Sequence, residues 1–485
     1  MMTIIKNDDC GLIISKTWRL LYKDAISNYQ DLESFEVIRV KKTIDCLFSI
    51  EGMQDIKQIH ICCGDASRFL EAQIWFRCLS QRNYERVVYL DESLVTAWNH
   101  EKSRLNIPLS TVLPQQDEQT LLLDMVRGVH FKKINTEQSR MVKWMNNSRA
   151  QIIALDCPSG LDPDTGGIKG QEICHANYTL SYFGYLQGLW TGLGKTYTGK
   201  KVAIPNEMAT VFKYSSWLMH SAHIRSILPK RPEYAHKGCF KKVKFISGQI
   251  SMFGATLLAA KAALLMGAGL VEVYHPQNIQ IPYAEFPEVI WHPVGCGTQI
   301  PFDEHSDSIW VVGPGLGMDA WGLSIWKEIS KREFPMVVDA SALRWLSRFH
   351  TQNKPWIITP HPGEAADLLG LSAAEVQNNR FRAIEQLQHQ TQMTVVLKGS
   401  GTLVMGKNKD IEICPLGHAG MATPGMGDVL TGMIAGLFSQ VSDPVQASVL
   451  GVWLHAAAAD RIRPIVTASH LLHELQFHLQ DVLCT

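Results

Sequence analysis

Residues Gly417–Leu437 read GHAGMATPGMGDVLTGMIAGL, the stretch that says most about the fold and chemistry of this chain. Gly425, Gly427 and Asp428 precede or open the apolar run Val429–Phe438, which predicts a buried helix. Glycines just before a helix let backbone N–H groups turn toward an anion. An aspartate there can accept the proton of a hydroxyl that attacks a phosphoryl group. The stretch indicates phosphate chemistry with a nucleotide donor; a glycine-rich turn capped by Asp428 is the alternative.

Composition limits the class of protein. The chain has 485 residues, which predicts two or three domains, and 46% of them are hydrophobic. Lys and Arg together number 46, as do Asp and Glu, so the formal net charge is zero. No basic block stands out, and we therefore expect neither nucleic acid nor a membrane among the partners.

Cysteines and apolar segments indicate a cytoplasmic protein. The eleven cysteines include no CxxC pair, and the adjacent Cys62 and Cys63 suit neither an ordinary disulfide nor a zinc site, so reduced thiols are expected. The N-terminus lacks the long apolar stretch of a secretory signal. Met252–Val271 has the length of a membrane span, but Lys261 near its middle would cost about 3 kcal/mol in a bilayer. A buried core helix is the preferred interpretation.

Short β-rich runs alternate with helical stretches along nearly the whole chain, and many of the runs are continuously apolar. This pattern predicts an α/β protein in which helices cover both faces of parallel sheets. The strand candidates are Gln58–Cys62, Arg86–Leu90, Gln151–Asp156, Asn177–Ser181 and Lys201–Pro205 in the first half, and Lys242–Ser247, Leu270–Tyr274, Ser308–Val312, Met336–Asp339, Trp356–Thr359 and Thr394–Leu397 in the second. Asn206–His236 lacks a strand run, which places the domain boundary near residue 222 and predicts domains 1–222 and 223–485.

Three turns of the second half fall at the carboxyl ends of predicted strands, where open α/β sheets bind ligands. They are GPGLG at Gly313–Gly317, TPHPGE at Thr359–Glu364 and KGSGT at Lys398–Thr402. Each has a structural alternative: a tight turn, a structural histidine at His361, and a hairpin turn. Alone, none of the three is specific.

Together with the opening stretch, these segments resemble the dehydratase domain of the NAD(P)H-hydrate repair enzymes, a ribokinase-like fold. The resemblance rests on the segments His236–Gly238, Gly254–Lys261, Gly313–Gly317, Asp339–Leu343, Thr359–Glu364, Lys398–Thr402 and Gly417–Leu437, which follow the family's order. It implies a reaction in which the hydroxyl of hydrated NADH or NADPH is phosphorylated from ADP or ATP. Phosphate then leaves, and the intact dinucleotide is restored.

The resemblance also implies roles for individual residues. Asp428 contacts the hydrated nicotinamide and is the expected general base, and the backbone of Gly425–Gly427 cradles the transferred phosphoryl group. The expected contacts of the adenine nucleotide are Lys398, Gly399, Ser400, Gly401, Thr402 and Gly427, and those of the hydrated dinucleotide are Ala255, Gly315 or Gly317, His361 and Asp428. Mg²⁺ is expected to be held mainly by phosphates. His418-Ala419 departs from the family's asparagine at this point, but a histidine can still donate a hydrogen bond.

In the first half, a strand runs into a long polar turn, Asp156–Gly166, with the sequence DCPSGLDPDTG. Asp156 could contact a ligand and Ser159 could contribute to a cation site, while a turn without a ligand is the alternative. This stretch resembles the epimerase domain that is fused to bacterial NAD(P)H-hydrate dehydratases, and the match continues through Gly184–Pro205. The resemblance implies an N-terminal Rossmann-like three-layer sandwich, substrate contact by Asp156 and K⁺ binding at Ser159.

The rest of the epimerase site departs from the family. Where the family has a loop of the type GxGNNGGDG, this chain reads CGDASRFLE at Cys63–Glu71, and a GTGL loop is replaced by Arg127–His130. The glycines that allow close backbone approach to phosphate are mostly gone, and Arg68 is a candidate replacement contact. We therefore expect the fold to persist while epimerase activity is weak or lost.

Two further functions remain open from the sequence alone. A ribokinase-like kinase for a small molecule such as a vitamin precursor shares the terminal GxGD pattern. The N-terminal half could instead be a non-catalytic binding or oligomerisation module, and a homo-oligomer is expected in either case.

Overall fold

The structure, a computed structural model, describes the chain from residue 11 to residue 484 apart from a set of short segments. The segments outside this description are 14, 28–30, 81, 83, 91–93, 96–108, 112–117, 130–133, 205–215, 281–286 and 303–306, which include the predicted strand end Pro205 and the loop residue His130. The chain divides into two compact units, Gly11–Ser216 and the part from Trp217 onward.

The N-terminal unit is built on a parallel sheet. A two-residue strand, β1 (Gly11–Leu12), lies outside this sheet. The strands of the sheet are β2 (Gln58–Cys63), β3 (Glu85–Leu90), β4 (Leu109–Ser110), β5 (Thr120–Met125), β6 (Gln151–Leu155), β7 (Tyr178–Ser181) and β8 (Lys200–Ala203). Its helices are α1 (Ser15–Ser27), α2 (Leu32–Phe48), α3 (Phe69–Leu79), α4 (Thr136–Asn146) and α5 (Leu193–Tyr197). The sheet has the order β4-β3-β2-β5-β6-β7-β8, with all neighbours parallel.

Apolar side chains on both faces explain why this sheet is continuous. β5 is buried along its whole length. Phe35 of α2 and Trp75 of α3 pack in the core on one face, and Met141 and Met145 of α4 pack in the core on the other. The strand order reverses between β2 and β5, and the loops that follow these strands form the crevice where such sheets bind ligands.

The C-terminal unit is a larger sheet, again between layers of helices. Its strands are β9 (Ser216–Leu218), β10 (Lys242–Ile246), β11 (Leu270–Pro276), β12 (Val289–Val294), β13 (Ser308–Val312), β14 (Met336–Val338), β15 (Trp356–Ile358), β16 (Thr394–Leu397), β17 (Leu403–Met405) and β18 (Ile411–Ile413). Its helices are α6 (Ser221–Ile227), α7 (Phe253–Leu265), α8 (Ala320–Ile329), α9 (Ser341–Phe349), α10 (Pro362–Leu369), α11 (Ala373–Asn378), α12 (Arg380–Thr391), α13 (Met426–Phe438), α14 (Pro444–Asp460) and α15 (Ala468–Cys484).

The strands of this unit follow the order β9-β18-β17-β16-β15-β14-β13-β10-β11-β12. All neighbours are parallel except β17, which is antiparallel to both β16 and β18. The order in which successive strands are added to the sheet reverses between β10 and β13. The ligand crevice of such a sheet lies at the loops after these two strands.

Helix α13 lies unusually close to α7. A Cβ added to Gly432 would lie 2.0 Å from the carbonyl oxygen of Ala259, and one added to Gly436 would lie 2.5 Å from that of Ala263. Only glycine permits this approach. The glycines of the opening stretch therefore fix the position of the helix that carries Asp428.

The α/β fold with two mainly parallel sheets confirms the sequence prediction. Each predicted strand is present, with described ends displaced by at most two residues. The strands β4, β5, β12, β17 and β18 were not predicted, because a short run does not separate strand from helix. The expectation that Asn206–His236 lacks a strand is wrong: β9 forms there by parallel pairing with β18, a tertiary contact that the local sequence does not reveal.

Met252–Val271 contains α7 and the start of β11, as the core-helix interpretation predicts. In the described part of the chain, no helix combines the length and apolar character needed to cross a bilayer. The described cysteines, Cys62 and Cys63 among them, are free thiols.

Candidate functional site

The loops after β13, β14, β15 and β16 meet at one edge of the C-terminal sheet. The backbone N–H of Asp339 donates to Val312 O at 3.0 Å, and the N–H of Lys398 donates to Pro360 O at 2.9 Å. The predicted GPGLG, TPHPGE and KGSGT segments are therefore neighbours in space. Parallel strands place their carboxyl ends at the same edge, which is why segments far apart in sequence meet here.

The turn before α13 presents an uncapped helix N-terminus. Gly425, at φ 86°, is the residue that precedes the helix, and no side chain caps the first turn. Asp428 lies inside that turn, so its alternative role as the N-terminal cap is wrong. The positive φ favours glycine at position 425, where an added Cβ would also lie 2.6 Å from Leu258 Cδ1 and 3.0 Å from Ala468 Cβ. The free N–H groups of such a turn suit an anionic group.

The ammonium of Lys398 lies beside this turn. Lys398 Nζ donates to Asp339 Oδ1 at 2.7 Å and lies 3.8 Å from Glu364 Oε2. A Cβ on Gly427 would lie 3.4 Å from the same nitrogen. Burial alone would lower the pKa of Lys398, but the two carboxylates outweigh it and the pKa is raised. The side chain is a fixed cation beside the helix N-terminus.

Asp428 has the properties of a general base near neutral pH. Burial, followed by repulsion from Asp339, raises its pKa to about 6, while Lys398 acts in the opposite direction. A base with a pKa near the working pH is effective in proton transfer. Glu364 also has a raised pKa, mainly through burial.

His361 begins helix α10 and is largely exposed, with 57% of its side chain accessible. Its Nδ1 accepts the N–H groups of Gly363 at 2.9 Å and Glu364 at 3.3 Å, and Glu364 Oε2 accepts the N–H of His361 at 2.8 Å. This capping box fixes the Nε2–H tautomer and leaves the outer edge of the ring accessible. The structural alternative and the dinucleotide contact are therefore compatible.

The KGSGT loop is shaped by its glycines and by a buried arginine. Gly399 and Gly401 have φ angles of 135° and 65°. Thr402 Oγ1 donates to Gly399 O at 3.1 Å, and Ser400 is exposed at the tip. Arg380 lies beneath the loop and is completely buried.

Ala255, Gly315 and Gly317 lie at the crevice between β10 and β13. Gly315 O accepts the N–H groups of Gly248 at 3.1 Å and Gln249 at 2.8 Å, which ties the two loops together. A Cβ on Gly315 would lie 2.8 Å from Met252 O, and one on Gly317 would lie 2.8 Å from Gln249 Cδ. Ala255 is partly exposed in the first turn of α7.

His418 makes backbone contacts. Its Nδ1 accepts the N–H of Gly420 at 3.1 Å, so Nε2 carries the proton and faces the oxygens of Ala459 and Ile462, both at 3.0 Å. The histidine donates a hydrogen bond, as expected, and holds the segment before the Gly425 turn.

In the N-terminal unit, Asp156 follows β6 at φ 65° and is 1% exposed. Its Oδ1 accepts the N–H of Tyr182 at 3.1 Å, and its Oδ2 lies 3.8 Å from Arg39 Nη1. Burial raises the pKa of Asp156, while Arg39 opposes the rise.

Arg39 belongs to a buried ionic network that covers Asp156. It pairs with Glu36 at 2.8 Å and contacts Glu71, which also pairs with Arg68 at 2.5 Å. A cavity of about 500 Å³ lies beside this network. Its lining includes all four of these charged residues but not Asp156. The network separates the predicted substrate contact from the cavity.

The glycine-loop replacement is a short 3₁₀ helix, Ala66–Arg68, that leads into α3. Asp65 caps it by accepting the N–H of Ser67 at 2.8 Å. Arg68 Nη1 pairs with Glu71 at 2.5 Å, whereas its Nε and Nη2 make no hydrogen bond to a described residue and the residue lines the cavity, so the replacement phosphate contact stays a prediction.

Ser159 is engaged on both sides of its hydroxyl. Its Oγ donates to Asp124 Oδ1 at 2.6 Å and accepts the N–H of Arg127 at 2.9 Å. Asp124 Oδ2 accepts the N–H of Ser159 at 2.7 Å. Within the described ranges, no group of three or more His, Cys, Asp or Glu side chains is arranged to hold a metal ion.

The structure thus brings Asp428, Gly427 and the KGSGT loop together at one site. It adds residues to which sequence reasoning gave no role: Asp339, Glu364 and Arg380. The signal for the first two was present, because both lie in the segments that carried the family resemblance; a buried arginine under a loop leaves no such signal.

Both halves of the chain are similar to known proteins. The family model described as NAD(P)H-hydrate dehydratase matches residues 243–480, and the model described as YjeF-related protein N-terminus matches residues 39–188. A bifunctional NAD(P)H-hydrate repair enzyme Nnr from Coxiella burnetii is 32% identical over 422 residues, which cover 84% of this chain and 86% of that protein.

Two solved structures resemble the C-terminal part. The ADP/ATP-dependent NAD(P)H-hydrate dehydratase from Bacillus subtilis, co-crystallised with ATP/Mg²⁺, is 28% identical with a TM-score of 0.50, covering 54% of this chain and 97% of that one. A ribokinase-like superfamily protein from Enterococcus faecalis is 24% identical with a TM-score of 0.51, covering 56% of this chain and 98% of that one, and supports the fold alone.

Proposed function

Because the chain belongs to the family of bifunctional NAD(P)H-hydrate repair enzymes, we propose that Asp428, Lys398 and the Gly425 turn carry out its dehydration step. The protein repairs hydrated NADH or NADPH by a dehydration that consumes an adenine nucleotide. The proposed roles rest on the position of Asp428. Its pKa is about 6, and its side chain lies beside an uncapped helix N-terminus and the ammonium of Lys398.

The proposed phosphoryl transfer has a base and charge-stabilising groups in the site. Asp428 accepts the proton of the added hydroxyl while that oxygen forms a bond to the terminal phosphorus of the nucleotide, whose bridging P–O bond breaks. The C–O bond to phosphate then breaks, the electron pair of the neighbouring C–H bond restores the ring double bond, and the departing phosphate takes up the proton. Phosphate is a better leaving group than hydroxide, which explains why a net dehydration consumes a nucleotide. Lys398 and the N–H groups after Gly425 stabilise the phosphoryl charge.

The nucleotide is proposed to lie along Lys398–Thr402 and Gly427, with the hydrated dinucleotide against Ala255, Gly315 or Gly317, and His361. Mg²⁺ fits as a phosphate-bound ion, because the ammonium of Lys398 already occupies the space between Asp339 and Glu364. When bound, Mg²⁺ neutralises phosphate oxygens. ADP and ATP are both candidate donors.

The N-terminal unit, proposed as residues 1–222 with the dehydratase at 223–485, is proposed to have little epimerase activity. Asp156 lies behind the network of Arg39 and Glu71, and the loop Cys63–Glu71 has lost the glycines that would approach a phosphate. A substrate in the adjacent cavity would not reach the carboxylate unless these ion pairs separated.

K⁺ at Ser159 stays a prediction. The hydroxyl donates to Asp124 and accepts from Arg127, which leaves one lone pair of Ser159 Oγ for a cation. A thermal unfolding midpoint that rises in KCl relative to NaCl would support the K⁺ site.

The decisive experiment is turnover of separated R and S hydrates with ADP and with ATP. We expect recovery of NADH absorbance and release of phosphate from the S form, and consumption of the R form only at the spontaneous rate of epimerisation. A stable phosphorylated product without NADH would favour a kinase instead. Rapid conversion of pure R hydrate to S without nucleotide would contradict the proposed loss of epimerase activity.

Association and location are also proposed rather than established. We propose a cytoplasmic homo-oligomer without nucleic-acid or membrane partners. Light scattering coupled to size-exclusion chromatography tests the oligomer directly, and a monomer at micromolar concentration would contradict it.

A further inference from the structure

We propose that Asp339 is a positioning residue for the dehydration step, because its two carboxylate oxygens hold Lys398 and helix α13 in a single arrangement. This inference rests on the role proposed above for Asp428. Asp339 is 1% exposed and lies directly after β14, at the edge where the site loops meet.

Each oxygen of Asp339 has a different partner. Oδ1 accepts a hydrogen bond from Lys398 Nζ at 2.7 Å, and Oδ2 accepts one from Thr431 Oγ1 at 2.6 Å. Thr431 follows Asp428 by three residues on α13, so the two share one region of the helix surface. The carboxylate therefore joins the nucleotide-binding lysine to the helix that carries the base.

The backbone around Asp339 is built for this position. A Cβ on Gly313 would lie 1.7 Å from Asp339 O, so the chain after β14 packs directly on the GPGLG loop. Ala340 has φ 48°, a conformation that non-glycine residues adopt only when the surroundings enforce it. The site thus holds a strained turn at the residue directly after the one that supplies the carboxylate.

Asp339 holds Lys398 in place but leaves it hydrogen-bond donors for a ligand. An ammonium has three N–H donors, and one of them goes to Asp339. Glu364 lies 3.8 Å away, beyond a hydrogen bond, so donors remain for a phosphoryl oxygen. If Asp339 served only the stability of the fold, its partner would not need to face the ligand site, as Lys398 does.

Removing the charge of Asp339 should change the titration of Asp428. The groups that act on Asp428 are Asp339 after β14, Glu364 on α10 and Lys398 after β16. His455 of α14 donates its Nε2–H to Met426 O at 3.0 Å, and because burial lowers its pKa to about 4 it is neutral. Loss of Asp339 removes a repulsion and frees Lys398 toward Asp428, and both changes lower the pKa of Asp428.

The test compares Asp339→Asn with Thr431→Val in the full chain. For Asp339→Asn we expect kcat on the S hydrate to fall about tenfold or more, and the acid limb of the pH profile of kcat to move down by about half a unit or more. ADP should bind about tenfold more weakly at pH 8. Thr431→Val keeps the charge of Asp339 and its lysine contact but removes the bond to α13, so its kcat should fall while its acid limb stays at the wild-type pH.

A double-mutant cycle separates positioning from folding. If Asp339 acts through Lys398, then Asp339→Asn combined with Lys398→Met should lose no more activity than Lys398→Met alone. The double variant removes both partners of the buried Lys398–Asp339 pair, so neither is left without the other and it should fold even if Asp339→Asn does not. Additive losses, or an unshifted acid limb with unchanged ADP affinity, would overturn the inference. Absence of nucleotide-dependent NADH recovery in the wild type would instead contradict the proposed function, and the ADP affinities would still decide the role of Asp339.

Discussion

Arg380 donates a hydrogen bond from Nη2 to the backbone oxygen of Leu397 at 2.9 Å, at the point where β16 ends and the KGSGT loop begins. The same nitrogen donates to Lys398 O at 3.2 Å. A Cβ on Gly399 would lie 2.8 Å from Arg380 Nη1, so the glycine backbone rests on the guanidinium. Burial lowers the pKa of Arg380 to about 10. A buried arginine therefore supports the loop proposed to bind the nucleotide.

Replacing this arginine should weaken nucleotide binding from beneath the site. Arg380→Met leaves the oxygens of Leu397 and Lys398 without their donor, so we expect a loss of stability of about 2 kcal/mol or more and a raised KM for the nucleotide. Arg382→Met, an exposed change on the same helix, is the matched control. Urea unfolding and nucleotide titration measure the two effects. An unchanged KM in a folded Arg380→Met protein would mean that the loop keeps its shape without the guanidinium.

The two glycines of the Gly425 turn should respond differently to alanine. At Gly425 the positive φ and the 2.6 Å approach to Leu258 predict a stability loss of about 2 kcal/mol or more. Gly427→Ala places its Cβ 3.4 Å from Lys398 Nζ, an ordinary contact, and should leave stability nearly unchanged. The new methyl group would, however, occupy the space proposed for phosphate, so nucleotide affinity should fall about tenfold. Calorimetric melting and ADP titration compare the pair; equal stability losses would contradict this assignment.

From the raised pKa of Asp428 we predict a pH limit on activity and a gain in stability when the residue is replaced. Its pKa of about 6 lies above the usual value, so protonation should reduce kcat/KM below about pH 6. The same raised pKa means that the folded state binds this proton more tightly than the unfolded state does. The contribution of Asp428 to stability is therefore fully present below the ordinary aspartate pKa and is lost as the pH rises through 6.

Asp428→Asn should consequently remove turnover and stabilise the fold above pH 7, by about 1–3 kcal/mol. Nucleotide binding should be largely retained. Denaturant unfolding at pH 5 and pH 8 provides the comparison, since the stabilisation should be smaller at pH 5. Surviving turnover would show that another group is the base, and a loss of stability at pH 8 would contradict the linkage argument.

Much of this architecture follows from local sequence. Continuous apolar runs such as Ser308–Val312 predict buried parallel strands, and glycine next to an apolar run predicts the helix start at Gly425. The KGSGT and TPHPGE segments lie beside each other because both follow parallel strands, a relation that topology dictates once the strand order is known.

Other parts of the site depend on contacts that the local sequence cannot express. The bond of Asp339 to Thr431 joins residues separated by 92 positions, and the support of Leu397 by Arg380 depends on how α12 packs against β16. β9 is a strand only because it pairs with β18. Likewise, the shielding of Asp156 by Arg39 requires α2 to lie over the end of β6.

The buried network of the N-terminal unit yields the final prediction. Arg39 pairs with Glu36 and Glu71 and lies 3.8 Å from Asp156, with 5% of its side chain exposed. Removing one member of a buried network leaves uncompensated charge, so Arg39→Leu should destabilise this unit by about 3–5 kcal/mol. Arg82→Leu removes an exposed pair with Asp45 at 3.1 Å and should cost about 0–1 kcal/mol.

The pH dependence distinguishes lost charge pairing from lost packing. In the wild type, burial raises the pKa of Glu71, but the charges of Arg39 and Arg68 outweigh burial and the pKa is lowered. The contribution of Glu71 to folding stability is therefore lost as the pH falls. Without Arg39 the carboxylates resist ionisation, so the deficit of Arg39→Leu should be largest near pH 8 and smaller near pH 5. Hydrogen exchange of β2 and β6 in the full chain reports the N-terminal unit separately. A deficit equal at both pH values would mean that Arg39 acts mainly through the packing of its aliphatic stem.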